Sequence, residues 1–206
     1  MSLPRPPHSA LRGERLPGIG HNQGPPLQAG RSWRAHCWRK ARQDLLPKLP
    51  LEVIRRRVAR ARQLGLAYPQ YASILLGTGR DIVAFLFTSD GLGLRLEREL
   101  RMPQPIAHKL GALERCDRLL FAGSGTDLDA LGHALAERRL GFAALAPAPP
   151  PGAHWGEGRA AIRAILDPRR LPGDAVVMVG TAPEERVWAD AARLAGFLPA
   201  ASYFSG

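Results

Sequence analysis

Over residues 116–206, short apolar runs alternate with segments of helical periodicity. Residues 118–122 and 175–179 are almost wholly apolar, and a glycine follows each run. Strands that are apolar on both faces and separated by helices are typical of a parallel sheet covered on both sides. With a further apolar run at 142–145, the sequence predicts a small, three-stranded, Rossmann-like α/β part here.

A three-stranded sheet leaves two open edges and little core. We therefore expect it to pack against the helices that precede it in the chain or against a second copy of itself, as a homodimer. The predicted fold class is α/β overall, with a basic α-helical N-terminal part followed by this small sheet.

The positive charge lies almost entirely in the first half of the chain. The net charge is +11; residues 1–90 hold 15 Lys and Arg against five acids, a net of +10, and residues 91–206 hold 14 against 13, a net of +1. An excess of positive charge on the first half of the chain predicts a polyanionic partner, DNA or RNA. A GC-rich genome is the alternative origin of the arginines, but it does not explain why acids become rare only in the first half.

Composition also divides the chain into segments. Residues 1–30 are rich in Pro and Gly, which predicts a disordered tail. Residues 31–90 are predicted as a basic helical domain, 91–115 as a connector and 116–206 as the α/β domain. A first helix is expected from Ser32, with Trp33 and Trp38 on its apolar face.

The tail contains the motif Gly-Ile-Gly-His-Asn-Gln-Gly-Pro-Pro at residues 18–26. It resembles the GIGHN-x-GP opening of uncharacterised bacterial proteins that continue into similar Arg-rich helices. The resemblance covers about residues 16–95. It implies no activity, because that group has none to carry over.

A second helix is predicted from Pro50 to about Leu64, with Gly65 ending it. At 100° per residue, one side carries an apolar stripe and the other a row of arginines. Glu52 is placed to pair with Arg56 at i+4. Five like charges on one short helix repel each other, and a phosphate backbone would relieve that repulsion. The stripe is Leu51, Ile54, Val58 and Ala61. The predicted nucleic-acid-binding residues are Arg55, Arg56, Arg57, Arg60 and Arg62 here, with Arg34 and Lys40 on the first helix.

Residues 82–87 are six consecutive apolar residues, so they are buried. Periodicity does not separate a core helix from a strand in a run this short. We expect a helix.

Two loops offer an alternative site, because each passes from a predicted strand through glycine to a helix N-terminus, where free amides favour an anion. Thr181 to Glu184 is predicted as a capping box. The alternative function is a nucleotide- or phosphate-binding α/β protein, with an enzymatic role left open. The residues of this alternative site are Gly123, Ser124, Gly125, Thr126, Gly180 and Thr181.

No pattern in the sequence fixes a reaction. GxSxG, GK[ST] and HExxH are all absent, so we expect no catalytic residues, no metal site and no cofactor, and the protein is interpreted as non-enzymatic. A second alternative is an assembly or adaptor protein for an acidic partner. No apolar run approaches the length that spans a bilayer and no signal peptide is evident, so neither membrane insertion nor secretion is expected and the location is predicted to be cytoplasmic.

Overall fold

A parallel β-sheet forms the centre of the computed structural model, which describes residues 49–96 and 99–205. Its strands are β1 (Ala84–Thr88), β4 (Asp117–Ala122), β5 (Ala144–Pro147), β6 (Val176–Gly180) and β7 (Gly196–Pro199). They run in the order β5-β4-β1-β6-β7 and all neighbouring pairs are parallel. Strands later in the chain are added on both sides of β1, which is a Rossmann-like arrangement. A separate antiparallel pair consists of β2 (Arg95–Leu96) and β3 (Leu100–Arg101).

Seven α-helices lie within the described residues. They are α1 (Leu51–Gln63), α2 (Tyr68–Thr78), α3 (Gln104–Gly111), α4 (Leu128–Glu137), α5 (Trp155–Leu166), α6 (Pro183–Ala191) and α7 (Ala200–Phe204). None of these helices combines the length and the apolarity needed to cross a membrane.

Alternate side chains of β1 enter two hydrophobic cores, one on each face of the sheet. Phe85 and Phe87 pack in a core that includes residues of α1 to α4 and α7. Ala84 and Leu86 pack in a second core with α5 and α6. All five residues of β1 are buried, as a strand at the centre of a three-layer structure requires.

The prediction of a helix over residues 82–87 is wrong, because this run supplies the central strand. Leu86 lies opposite Leu119 of β4 on one side and Met178 of β6 on the other. A strand paired along both edges satisfies its backbone groups and presents apolar side chains to both faces, so continuous apolar character suits it.

The helices before the sheet share its core. Ala61, Leu64 and Tyr71 pack in the same cluster as Phe85, and they belong to one compact unit, Pro50–Gly206. Within the described residues, the helices at 51–78 and the strands of the sheet therefore share one core. The sheet has five strands rather than three because β1 and β7 complete it. The predicted tail, the first helix and the motif at 18–26 lie outside the described residues.

Candidate functional site

The side chain of Glu185 occupies the turn between β6 and α6. Its Oε2 atom accepts hydrogen bonds from the backbone N–H groups of Thr181 (2.7 Å) and Ala182 (2.9 Å). These amides at the start of α6 are the donors that would otherwise hold an anionic ligand. The carboxylate that reaches back is that of Glu185 and not the predicted Glu184, and it takes the place of an external phosphate.

Two glycines close the crevice between β1 and β6, where ligands of such sheets usually bind. A methyl group added at Gly180 would lie 2.0 Å from Oε2 of Glu185, and one added at Gly91 would lie 3.1 Å from Cα of Gly180. The turn after β1 thus packs directly on the end of β6.

Burial raises the pKa of Glu185, which is 6% exposed. Hydrogen bonds from the Ala182 and Thr181 amides and from the Thr88 hydroxyl act in the opposite direction, but desolvation is the larger cause. The folded protein therefore retains the proton on this carboxyl group to a higher pH than the unfolded chain does. The stabilisation from this group is complete below the unfolded pKa and is lost as pH rises through the folded pKa.

We expect Glu185→Gln to gain stability relative to the wild type as pH rises from about 4 to about 8, by about 1.4 kcal/mol for each pH unit that separates the two pKa values of Glu185. The measurement is urea unfolding of both proteins across this range. Other carboxyl groups titrate equally in both and cancel in the difference. A difference that does not change with pH would contradict the raised pKa.

The other predicted ligand loop is also capped from within the chain. Oδ1 of Asp127 accepts hydrogen bonds from the backbone N–H groups of Asp129 and Ala130, both at 3.0 Å, at the start of α4. Ser124 and Gly125 are exposed beside it. Both helix N-termini that the sequence singled out therefore hold a carboxylate of the protein itself.

A small cavity of about 180 Å³ remains at the ends of β1 and β4. Ser89, Gly123 and Thr126 contribute to its wall, and Arg95 and Asp90 form an ion pair at 2.9 Å beside it. The volume is below the roughly 300 Å³ at which ligand pockets begin. The cavity beside the predicted ligand loop is therefore smaller than a typical ligand pocket.

The arginines of α1 do not form one equivalent set. Arg55, Arg56 and Arg62 are exposed and Arg57 is half-buried. Glu52 pairs with Arg55 at 2.8 Å rather than with Arg56. The two predicted partners on the first helix, Arg34 and Lys40, lie outside the described residues.

Arg60 differs from the others because its guanidinium group points into the protein. It donates to Oδ2 of Asp81 at 2.8 Å and to the carbonyl oxygens of Ile82, Glu114 and Arg115 at 2.8, 3.2 and 3.1 Å. Its side chain is 16% exposed. Arg60 therefore joins α1 to the segments that lead into β1 and β4, and it belongs to the fold rather than to an exposed basic face.

Two grooves of about 760 and 720 Å³ lie beside α3, and His108 and Ala112 contribute to the walls of both. The basic residues around them come from α1, α3 and the end of α4. Among the described residues that line them, neither wall contains an Asp or a Glu. We call this pair the α3 grooves; their basic residues are Arg62, His108, Lys109, Arg138 and Arg139.

Lys109 is held within the protein. Its Nζ atom donates to the carbonyl oxygen of Tyr203 and lies 4.4 Å from the centroid of the Tyr203 ring. Burial lowers its pKa. The cations that face solvent in the α3 grooves are Arg62, Arg138 and Arg139, beside the exposed imidazole of His108.

The sequence pointed to Arg62 but not to Arg138, Arg139 or His108. A signal was present in the adjacent arginines at the end of a predicted helix, but their proximity to α1 depends on the packing of α3 and α4. Among the described residues, no group of three or more His, Cys, Asp and Glu side chains is placed to hold a metal ion. The chain matches no protein-family model, no curated protein and no solved structure.

Proposed function

We propose that the protein binds the phosphate backbone of DNA or RNA through the α3 grooves. The observation that supports this is the composition of the groove walls, in which the described residues include Arg62, Arg138 and Arg139 and no carboxylate. A concave surface with charge of one sign concentrates a polyanion and releases its counterions. No substrate chemistry is required, so the role is one of binding.

The segment before the described residues adds charge of the same sign. Residues 1–48 contain nine Lys and Arg against two acids, a net of +7. Charges on a connected segment raise the local attraction for a polyanion whatever its conformation. Of the arginines predicted on α1, Arg60 forms hydrogen bonds inside the fold, whereas Arg62 lines a groove.

The test is fluorescence anisotropy of the full chain with labelled single-stranded RNA, single-stranded DNA and duplex DNA at 50–200 mM salt. We expect log K to fall linearly with log salt concentration. Arg62→Glu with Arg138→Glu should reduce the slope by about 1.4–1.8, since each lost phosphate contact removes about 0.7–0.9.

The matched control is Arg159→Glu with Arg186→Glu, which changes the net charge equally. Both residues are exposed and lie on α5 and α6, on the opposite face of the sheet. If the two double variants lose affinity equally, net charge alone explains the loss, and binding in the α3 grooves is contradicted. Displacement of the nucleic acid by poly-glutamate at equal charge concentration would favour an acidic protein as the partner.

A further inference from the structure

Arginine occupies every non-glycine position with positive φ among the described residues. Arg115, Arg139, Arg170 and Arg193 have φ values of 54°, 57°, 52° and 57°. This left-handed conformation is unfavourable for a residue with a Cβ atom, and Asn, Asp and His are the usual exceptions. Arginine is about one residue in eight of the whole chain, so composition alone does not account for four of four.

Three of these arginines occupy equivalent positions in a helix-ending motif. Each precedes a leucine whose N–H donates to the carbonyl oxygen five residues earlier. The three hydrogen bonds are Leu140 to Leu135 (2.9 Å), Leu171 to Leu166 (3.2 Å) and Leu194 to Ala189 (2.9 Å).

The same motif ends α1, and there the left-handed residue is glycine. Gly65 has φ of 61°, and Leu66 donates to Ala61 at 2.9 Å. A Cβ atom at Gly65 would lie 2.8 Å from Cε of Lys109, so a side chain there would require the Lys109 side chain to move. At the three exposed helix ends, the chain has arginine instead of glycine, the residue that this conformation favours.

Stabilisation of the helix ends does not explain the choice at residues 139 and 170. A cation near a helix C-terminus is favourable, but Arg138 and Arg169 already lie one residue earlier, in conformations without positive φ. None of the four left-handed guanidinium groups forms an ion pair with a described residue. All four side chains are exposed.

The four arginines lie along one edge of the sheet, namely the edge at which its parallel strands begin. They precede β4, β5, β6 and β7, and the N-terminal ends of parallel strands lie at the same edge. From β5 to β7 this edge is about 19 Å wide, at about 4.8 Å between strands. Nearby acids are partly neutralised, because Asp81 pairs with Arg60 and Asp174 with Arg80, while Glu114 and Asp117 remain exposed.

We infer that these amino-edge arginines, Arg115, Arg139, Arg170 and Arg193, extend the nucleic-acid surface from the α3 grooves across the sheet edge. Arg139 connects the two regions, since it also contributes to a groove wall. The partner is then a nucleic-acid strand long enough to cover on the order of 20 Å of sheet edge, not a mononucleotide. This inference rests on the proposed function.

The test variant is Arg170→Gly with Arg193→Gly, which lie on the β6 and β7 side and away from the grooves. Glycine accepts positive φ without strain, so Tm should rise, by up to about 2–4 °C per site. The salt slope of binding should fall by about 1.4–1.8. A variant that is more stable and binds less tightly is not explained by damage to the fold.

The control is Arg170→Lys with Arg193→Lys, which keeps the charge and the strain and should keep the slope. Oligonucleotides of increasing length supply a second readout, because affinity should reach its plateau at a shorter length in the glycine variant. If the salt slope is unchanged in the glycine variant but falls in Arg62→Glu/Arg138→Glu, the amino-edge arginines are not part of the nucleic-acid surface. The proposed function would still stand. Absence of binding by the wild type would overturn both.

Discussion

Replacing Arg60 with alanine should lower the free energy of unfolding by about 3 kcal/mol, because it removes several hydrogen bonds at once, among them the one to the half-buried Ile82 carbonyl group. The guanidinium group donates to Asp81 and to three backbone carbonyl oxygens, which lie 21 to 55 residues away in the sequence. Urea unfolding at pH 7 measures the change.

The surroundings of the Asp81 carboxylate add to the effect of removing Arg60. It also accepts hydrogen bonds from the Tyr71 hydroxyl (3.0 Å) and the Ile82 N–H (2.8 Å). Burial and the nearby Asp81 raise the pKa of Tyr71 to about 12, and the charge of Arg60 acts against this rise. Without Arg60, the charge of Asp81 lies beside a buried phenol with no cation in contact, so we expect the Tyr71 pKa to rise further.

Arg56→Ala is the matched control for Arg60→Ala, since it removes an exposed arginine from the same helix and should change stability by less than about 0.5 kcal/mol. Equal effects at the two positions would contradict the structural role of Arg60. The comparison also matters for function. Charge reversal at Arg60 should destabilise the fold and so imitate a loss of binding, which makes Arg62 and Arg138 the residues to reverse.

Much of the sheet could be predicted from the sequence, and the exceptions have physical reasons. Residues 118–122 and 175–179 are flanked by glycine and helical periodicity, and both are strands, β4 and β6. Residues 82–87 lack any alternation, so only pairing with both β4 and β6 identifies them as a strand. β7 has four residues and ends at Pro199, which is too short and too interrupted to stand out from a loop.

The candidate site was less accessible to sequence reasoning. Helical periodicity placed Arg56, Arg57 and Arg60 on one side of α1, but it carried no information on the carbonyl oxygens that bind Arg60. The Gly-rich turns after β4 and β6 were found correctly, whereas their occupation by Asp127 and Glu185 depends on side-chain conformation. Positive φ at arginine has no sequence signature at all, because glycine is the residue expected there.

Gly158→Ala should destabilise the protein by about 3 kcal/mol, although alanine is the better helix former. Gly158 lies within α5, and a methyl group there would lie 2.1 Å from Cγ and Cδ1 of Trp188. The indole ring is 4% exposed, and its N–H donates to the Ala153 carbonyl oxygen at 3.1 Å. The ring has to move, and that hydrogen bond is lost with its packing. Urea unfolding followed by circular dichroism tests the change.

Gly132→Ala is the control that isolates this contact. Gly132 also lies inside a helix, α4, but nothing lies within 4 Å of the added methyl group. There the gain in helix propensity acts alone, and stability should rise by about 0.5–1 kcal/mol. Trp188→Leu should rescue Gly158→Ala in part, because it removes the atoms that clash. Substitutions of the same chemistry should therefore shift stability in opposite directions, and two losses of equal size would contradict close packing of α5 on α6.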